Sequence, residues 1–458
     1  MLMKYVILAA GLLAAVSTGF ATAHYGQSDE IALTAAVVVL CAIWWVFEPV
    51  PIPVTSMVPL AVLPLGGVLT ADQIGACVGN KLVLLMMGGF MLSMAMEQSG
   101  THRRLALNMV GLFGGGSSSR KLVFGFMAAS AFLSMWISNA ATVLMLLPIV
   151  TAVVEKSSNR RLKVALLLGI AYAASVGGIA TPIGTPPNLV FGLVYSETFG
   201  ETPSFATWMI WAVPITVIML PAIGFWLTRG LQSDASLKMP ETGSWRYEEI
   251  ATLAVFGVTA LLWITRLGPW GGWSEWLDLP YANDAMVALV AVVVMHILPN
   301  GKGESLLSWD NAVKIPWGVL LLFAGGIAIA QACIESGLSA QLGEALSGIS
   351  ALPLILMIGV VCLAVTFLTE VTSNTATATL LLPILAATAI ATDINPLVIM
   401  VPATISASFA FMLPVATPPN AIVFGNGALT VKDMMRQGLV LNLFGVVIVT
   451  VVCWLFFG

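Results

Sequence analysis

Charge is what this sequence has least of. Of its 458 residues only 9% are Asp, Glu, Lys or Arg, against roughly a quarter in an ordinary soluble domain. The net charge of -4 is spread over loops with no basic tract, which speaks against nucleic acid and against a polybasic lipid-binding arm. No Gly-rich loop followed by Lys and Ser/Thr occurs, which removes a nucleotide-driven pump. The five cysteines (Cys41, Cys77, Cys333, Cys362, Cys453) lie scattered in apolar runs without paired spacing. Neither a disulfide framework nor a zinc site is indicated. His24, His102 and His296 have no second ligand nearby, and no nucleophile–base pair suggests an enzyme.

What the chain does have is apolar length. Hydrophobic residues make up 59%, and windows of about 20 apolar residues recur from end to end with short polar gaps, as in a multi-span membrane protein. Met1–Ala23 has the small-residue ending Ala21-Thr22-Ala23 of a signal peptide, but it is read as a retained first span (1–30) because the chain stays hydrophobic after it. Ile31–Phe47 is the second predicted span. Its Trp44-Trp45 pair suits an interface belt, and Pro49, Pro51 and Pro53 mark the boundary before the third.

Three landmarks appear twice. Ser138, Asn139, Thr142 and Pro148 match Ser373, Asn374, Thr377 and Pro383 at one offset of 235 positions. Gly88-Gly89 matches Gly325-Gly326, and Thr185-Pro186-Pro187-Asn188 matches Thr417-Pro418-Pro419-Asn420. Landmarks in the same order at nearly constant offset indicate one fold used twice. The expected halves are 31–230 and 245–458, each with scaffold helices, a hairpin (120–155 and 353–391) and a broken helix (164–196 and 396–427).

Charge placement orients the two copies. Arg103, Arg104, Arg120 and Lys121 precede the first polar cluster, and Lys156, Arg160, Arg161 and Lys163 follow it. By the positive-inside rule this hairpin enters and leaves from the cytoplasm. The second cluster is flanked by Glu344 and Asp393 without Lys or Arg, so its hairpin is expected to enter from outside. The loop from Tyr195 to Ser204 is acidic and outside, whereas Arg229, Lys238, Arg246, Lys302, Lys314, Lys432 and Arg436 fall inside. Arg266 alone is against the count. The predicted fold class is therefore an all-α polytopic membrane protein: eleven transmembrane helices plus two re-entrant hairpins in two inverted-topology repeats, N-terminus in the cytoplasm and C-terminus outside. Inverted repeats with interrupted helices are the architecture of secondary transporters.

Irregular backbone at membrane depth must be buried in protein or line a wet cavity. The prolines free carbonyl oxygens near Ala180–Thr185 and Val415–Thr417, while Ser134, Ser138, Thr369, Ser373 and Thr377 add hydroxyls. Neutral oxygen clusters suit sodium, and helix N-termini at the tips suit an anion. Lysines and arginines lie in loops or at span ends, so bound cations and helix dipoles must offset an anionic substrate. Glu370, close to midplane depth, could cap amides of its own hairpin or couple to cation binding, with the structural role favoured.

With Trp44-Trp45 to Thr55, the two Ser-Asn tips and the Thr-Pro-Pro-Asn breaks, the chain resembles the divalent anion/sodium symporter family over essentially its whole length. The resemblance implies a homodimer in the plasma (inner) membrane that imports C4-dicarboxylates with Na+ by an elevator motion. It implies one sodium site around Ser134, Ser138, Asn139 and Gly184, and a second around Thr369, Ser373, Asn374 and Ala416. Substrate contacts would fall on Asn139, Asn374, Thr375 and Pro418, with Ala140 and Pro186 at the matching positions of the first half. Ala140 stands where the family pattern has Thr, which leaves the identity of the anion open. A sodium-independent exchanger, a carrier for sulfate, citrate or tartrate, and an anion channel are the competing readings. No organic cofactor is implied.

Overall fold

The computed structural model describes residues 2–113, 118–155, 159–231, 243–267, 271–339, 341 and 352–458. Lys156, Lys238 and Glu344, used in the charge count, lie outside the described residues. Among those described there is no β-strand, only a bridge between Pro299 and Ser305. The helices of the first half are α1 Leu2–His24, α2 Asp29–Phe47, α3 Ile52–Leu65, α4 Ala71–Val78, α5 Lys81–Ser99, α6 Thr101–Leu112, α7 Ser119–Ser134, α8 Asn139–Glu155, α9 Arg160–Gly178, α10 Pro186–Phe199 and α11 Phe205–Thr228. Those of the second are α12 Tyr247–Thr265, α13 Gly272–Trp276, α14 Asp284–Ile297, α15 Trp309–Ala312, α16 Trp317–Ser336, α17 Leu354–Thr369, α18 Asn374–Thr392, α19 Leu397–Ser406, α20 Pro418–Gly425 and α21 Val431–Phe457.

Local signals set the boundaries. Ser28 caps α2 by accepting from the Ile31 amide, and Glu48 closes that helix in the left-handed conformation. Thr70 and Gln73 form a reciprocal capping box, and Gly100, at φ +76°, separates α5 from α6. Among the described residues, nine helical segments are long and apolar enough to cross a membrane, and five further apolar helices are shorter. The outer surface matches: Val217, Val258, Val290 and Val447 are 57–64% exposed, an arrangement suited to lipid rather than water.

The duplicated glycines explain how the scaffold packs. Helix α16 lies against α3, and α5 lies against α14. A Cβ on Gly325 would run into the Ser56 carbonyl oxygen, and one on Gly88 would come within 2.6 Å of the Ala288 methyl. At matching places in the two halves, small residues let backbones approach closely. Trp45, almost fully buried, donates to Ser56 Oγ at 3.1 Å beside the first contact.

Arg266, the exception to the charge count, is held in an ion pair. Its Nε lies 2.5 Å from Asp284 Oδ1, and both side chains are largely buried.

Candidate substrate and ion site

Two helix pairs turn at the polar clusters: α7 into α8 through 135–138, and α17 into α18 through 370–373. Two other helices are interrupted, α9 from α10 by 179–185 and α19 from α20 by 407–417. The prolines at the start of α10 and α20 need no intrahelical amide there, which is why each helix resumes at a Pro-Pro pair. The four elements pack crosswise, α10 of the first half on α18 of the second and α20 of the second on α8 of the first.

The side chains repeat the correspondence. Ser134 Oγ donates to Asn139 Oδ1 at 2.6 Å; the equivalent Thr369 Oγ1 contacts Asn374 Oδ1 at 2.9 Å. Asn188 Nδ2 donates to the carbonyls of Gly178 at 3.1 Å and Thr181 at 2.7 Å, and Asn420 Nδ2 to those of Ala410 at 2.9 Å and Leu413 at 3.0 Å. Each asparagine thus closes a loop of irregular backbone. The amides of Gly184 and Ala416 also match, donating to the Thr181 and Leu413 carbonyls at 3.4 and 3.3 Å.

The first oxygen cluster forms around two glycines. A Cβ on Gly178 would meet Asn139 Oδ1, and one on Gly184 would meet the Gly178 carbonyl and lie 2.9 Å from the Ser134 carbonyl. Ser134 and Gly184 are buried, so oxygens of the expected first sodium site do converge. In the second cluster the Thr369 hydroxyl lies 2.9 Å from Asn374 Oδ1 and 2.8 Å from the Ala407 carbonyl. One hydroxyl proton cannot serve both acceptors fully. Ser175 Oγ and Ser408 Oγ are buried with no partner among the described residues. Clusters of neutral carbonyl and hydroxyl oxygen of this kind suit a hard monovalent cation.

Ser138 and Ser373 have a further duty. Ser138 Oγ accepts from the Ala141 amide at 3.2 Å and Ser373 Oγ from the Ala376 amide at 3.1 Å, so both cap the helices that follow. Ala416 is buried, whereas Asn139, Ala140, Asn374, Thr375 and Pro186 are half-buried and Pro418 is exposed. The first amides of a helix lack intrahelical acceptors. At Asn139-Ala140 and Asn374-Thr375 they are therefore available to an anion. No hydrogen bond among those described joins the two tips directly; the crossed packing of α10 and α20 relates them.

Glu370 caps neither its own hairpin nor a cation cluster. Its Oε1 accepts from the amides of Phe411 at 2.7 Å and Met412 at 2.8 Å and from Asn442 Nδ2 at 2.7 Å, and its Oε2 accepts from the Leu413 amide at 3.0 Å. The carboxylate thus holds the unwound segment after α19. At the matching position of the first half the Met135 carbonyl accepts from the Thr181 hydroxyl. Asn442, Asn188, Asn420 and Gly178 were not singled out as site residues from sequence. The signals were a lone Asn inside the apolar α21 and the repeated Asn after each Pro-Pro.

Interrupted helices in matched pairs, with carbonyls, hydroxyls and helix N-termini at the breaks and an apolar exterior, define a membrane carrier. The chain belongs to the divalent anion/sodium symporter family of sodium-coupled carboxylate transporters. The family described as CitMHS, citrate transporter, matches residues 42–400. The sodium-dependent dicarboxylate transporter SdcS of Staphylococcus saprophyticus is 38% identical over 455 residues, covering 93% of this chain and 86% of that protein. SdcS of Staphylococcus aureus strain NCTC 8325 is 38% identical over 447 residues, covering 92% and 84%. Among solved structures, the YdaH transporter of Alcanivorax borkumensis shares the fold with a TM-score of 0.58 at 15% identity, covering 84% of this chain and 87% of its own. MtrF of Neisseria gonorrhoeae does so at 0.53 and 11%, covering 84% and 82%.

Proposed function

We propose that this chain is a secondary active transporter that carries a C4-dicarboxylate such as succinate, malate or fumarate together with sodium. The observation that carries the reading is the matched pair of oxygen clusters behind two helix N-termini, with no Lys or Arg among the site residues. A dianion placed before Asn139 and Asn374 finds amide donors but no side-chain cation. Sodium ions held by Ser134, Asn139 and Gly184, and by Thr369, Asn374 and the Ala407 carbonyl, would supply the missing charge. Ion binding then makes the anion site favourable, which is symport. The name of the SdcS proteins, sodium-dependent dicarboxylate transporter, supports the same reading.

The fuller mechanism belongs to this proposal. Eleven spans in two inverted repeats, with the hairpins entering from opposite faces, would let the site open alternately to each side. A homodimer in the plasma membrane, N-terminus inside and C-terminus outside, would hold the scaffold of α2, α3, α5, α12, α14 and α16 still. The hairpins and broken helices would move past it as an elevator. Ala140 is the observation that favours a second reading: without a hydroxyl at this tip, the site leaves more room, which suits a bulkier anion such as citrate or tartrate.

Radiolabelled succinate uptake into proteoliposomes, with and without an inward sodium gradient, tests the proposal. Uptake driven by sodium is expected. Uptake indifferent to sodium sinks symport and favours exchange; uptake of citrate or tartrate in place of succinate establishes the second reading.

A further inference from the structure

Away from the paired breaks, a cavity of about 470 Å³ opens between the start of α9, the end of α11 and the start of α21. Arg160, Arg161, Arg229 and Arg436 line it, with Asp433 as the one carboxylate among its lining residues. That carboxylate is already engaged: Asp433 Oδ2 accepts from Arg160 Nη2 at 2.7 Å, the Thr430 amide at 3.0 Å and the Thr430 hydroxyl at 2.6 Å. Arg161 reaches only the Gly230 carbonyl at 3.3 Å, and Arg229 the Trp226 carbonyl at 2.7 Å and Gln437 Oε1 at 3.2 Å. Among the described residues, therefore, three of the four guanidiniums face neutral partners or none.

Two further observations point the same way. The Arg229 guanidinium lies over the Trp226 ring at 3.3 Å, and the Trp226 indole N–H is buried without an acceptor among the described residues. Burial and the positive charge of Arg436 push the Arg229 pKa down from its ordinary value. The cavity is rich in donors and short of acceptors, the reverse of the sodium clusters. Beside it the surface is apolar, with Phe225 62%, Leu439 41% and Phe444 43% exposed. A headgroup-sized basic cavity at the ends of lipid-facing helices is where an anionic lipid would be held.

We propose that this cavity binds a phosphate group whose negative charge is not offset by a cation of its own, supplied by the headgroup of an anionic phospholipid or by soluble phosphate. The planar forks of the guanidiniums match phosphate oxygens two at a time, and the apolar flank of α11 and α21 accommodates acyl chains in the lipid case. Bound there, the phosphate bridges the first half through α9 and α11 to the second through α21.

The test titrates the purified full-length protein in detergent with phosphatidylglycerol, phosphatidylcholine or inorganic phosphate, followed by native mass spectrometry and the thermal midpoint. Phosphatidylglycerol is expected to form retained adducts and raise the midpoint, while phosphatidylcholine does neither. Arg229→Gln with Arg436→Gln should weaken binding roughly 30-fold, and Arg436→Gln alone about fivefold. The single variant breaks no hydrogen bond described above, so its unliganded midpoint should stay that of the parent; Arg436→Lys should retain most of the binding. A midpoint raised by inorganic phosphate, with phosphatidylglycerol inert, identifies the soluble source. Equal binding of phosphatidylcholine, or parent and variants responding alike to both phosphates, overturns the proposal.

Discussion

Replacing Glu370 with Gln exchanges one oxygen of a four-donor cage for an NH₂ group and leaves the side chain nearly isosteric. If the remaining oxygen keeps the Oε1 position, it still accepts from Phe411, Met412 and Asn442, at 2.7 to 2.8 Å in the parent. The new NH₂ then faces the Leu413 amide, which in the parent donates to Oε2 at 3.0 Å, and that amide loses its acceptor. Three bonds lose charge assistance at about 1 kcal/mol each, and one orphaned amide adds about 1–3 kcal/mol. Removing a buried ion returns part of its desolvation penalty. The net cost to the ordered 411–413 segment is about 3 kcal/mol, on the order of a hundredfold in its population.

That segment follows Ala407, whose carbonyl meets Thr369 at 2.8 Å, so the effect should surface in ion binding. Sodium-dependent succinate uptake is the assay: the sodium concentration for half-maximal transport should rise steeply, while succinate KM at saturating sodium changes little. Glu304→Gln, at an exposed loop position, serves as the control. A Glu370→Gln protein with parental sodium dependence and thermal midpoint would refute the assignment of Glu370 to the unwound segment.

Other substitutions address different parts of the structure. Asn374→Ala should abolish transport while the purified protein keeps its elution profile and helical spectrum; undiminished uptake would remove Asn374 from the site. Ala140→Thr adds at the first tip the hydroxyl that Thr375 carries at the second and should shift dicarboxylate affinity by about 0.5–1.5 kcal/mol, or roughly two- to tenfold, as read by competition of succinate, citrate and tartrate. Gly178→Ala sets a methyl against Asn139 Oδ1 and should raise the sodium requirement at least tenfold without changing expression. In the scaffold, Gly325→Ala meets the Ser56 carbonyl, whereas at Gly89 the nearest atom is Ile183 Cδ1 at 3.9 Å. The first should lower stability by about 1–3 kcal/mol and the second should be tolerated, as read by thermal unfolding in detergent.

Much of the site was legible because prolines and repetition leave marks that do not depend on contacts. The Pro-Pro pairs announced the breaks after Gly178 and Ser406, and the repeated Ser-Asn announced the turns before α8 and α18. The partners of Asn188 and Asn420 were hidden, since their carbonyls lie seven to ten residues away across irregular backbone that no periodicity describes. Glu370 was legible as an expensive carboxylate, but its acceptors' partners, more than forty residues downstream, were not. Span counting from hydropathy meets its own obstacle in α3 and α14. Each has 14 residues, fewer than the about 20 that a hydropathy window expects, and prolines at 59 and 64 lie inside α3.

The crossed packing of α20 on α8 also sets a timetable for biosynthesis. Glu155 ends α8 and Pro418 begins α20, 263 positions later. At about 5–20 residues per second, the first polar turn leaves the ribosome roughly 13 to 50 seconds before the helix that packs on its second arm has been made. During that interval Ser134, Ser138 and Asn139 stand without their cross-half neighbour, and the packing around the first polar turn is completed only after the second half has been made.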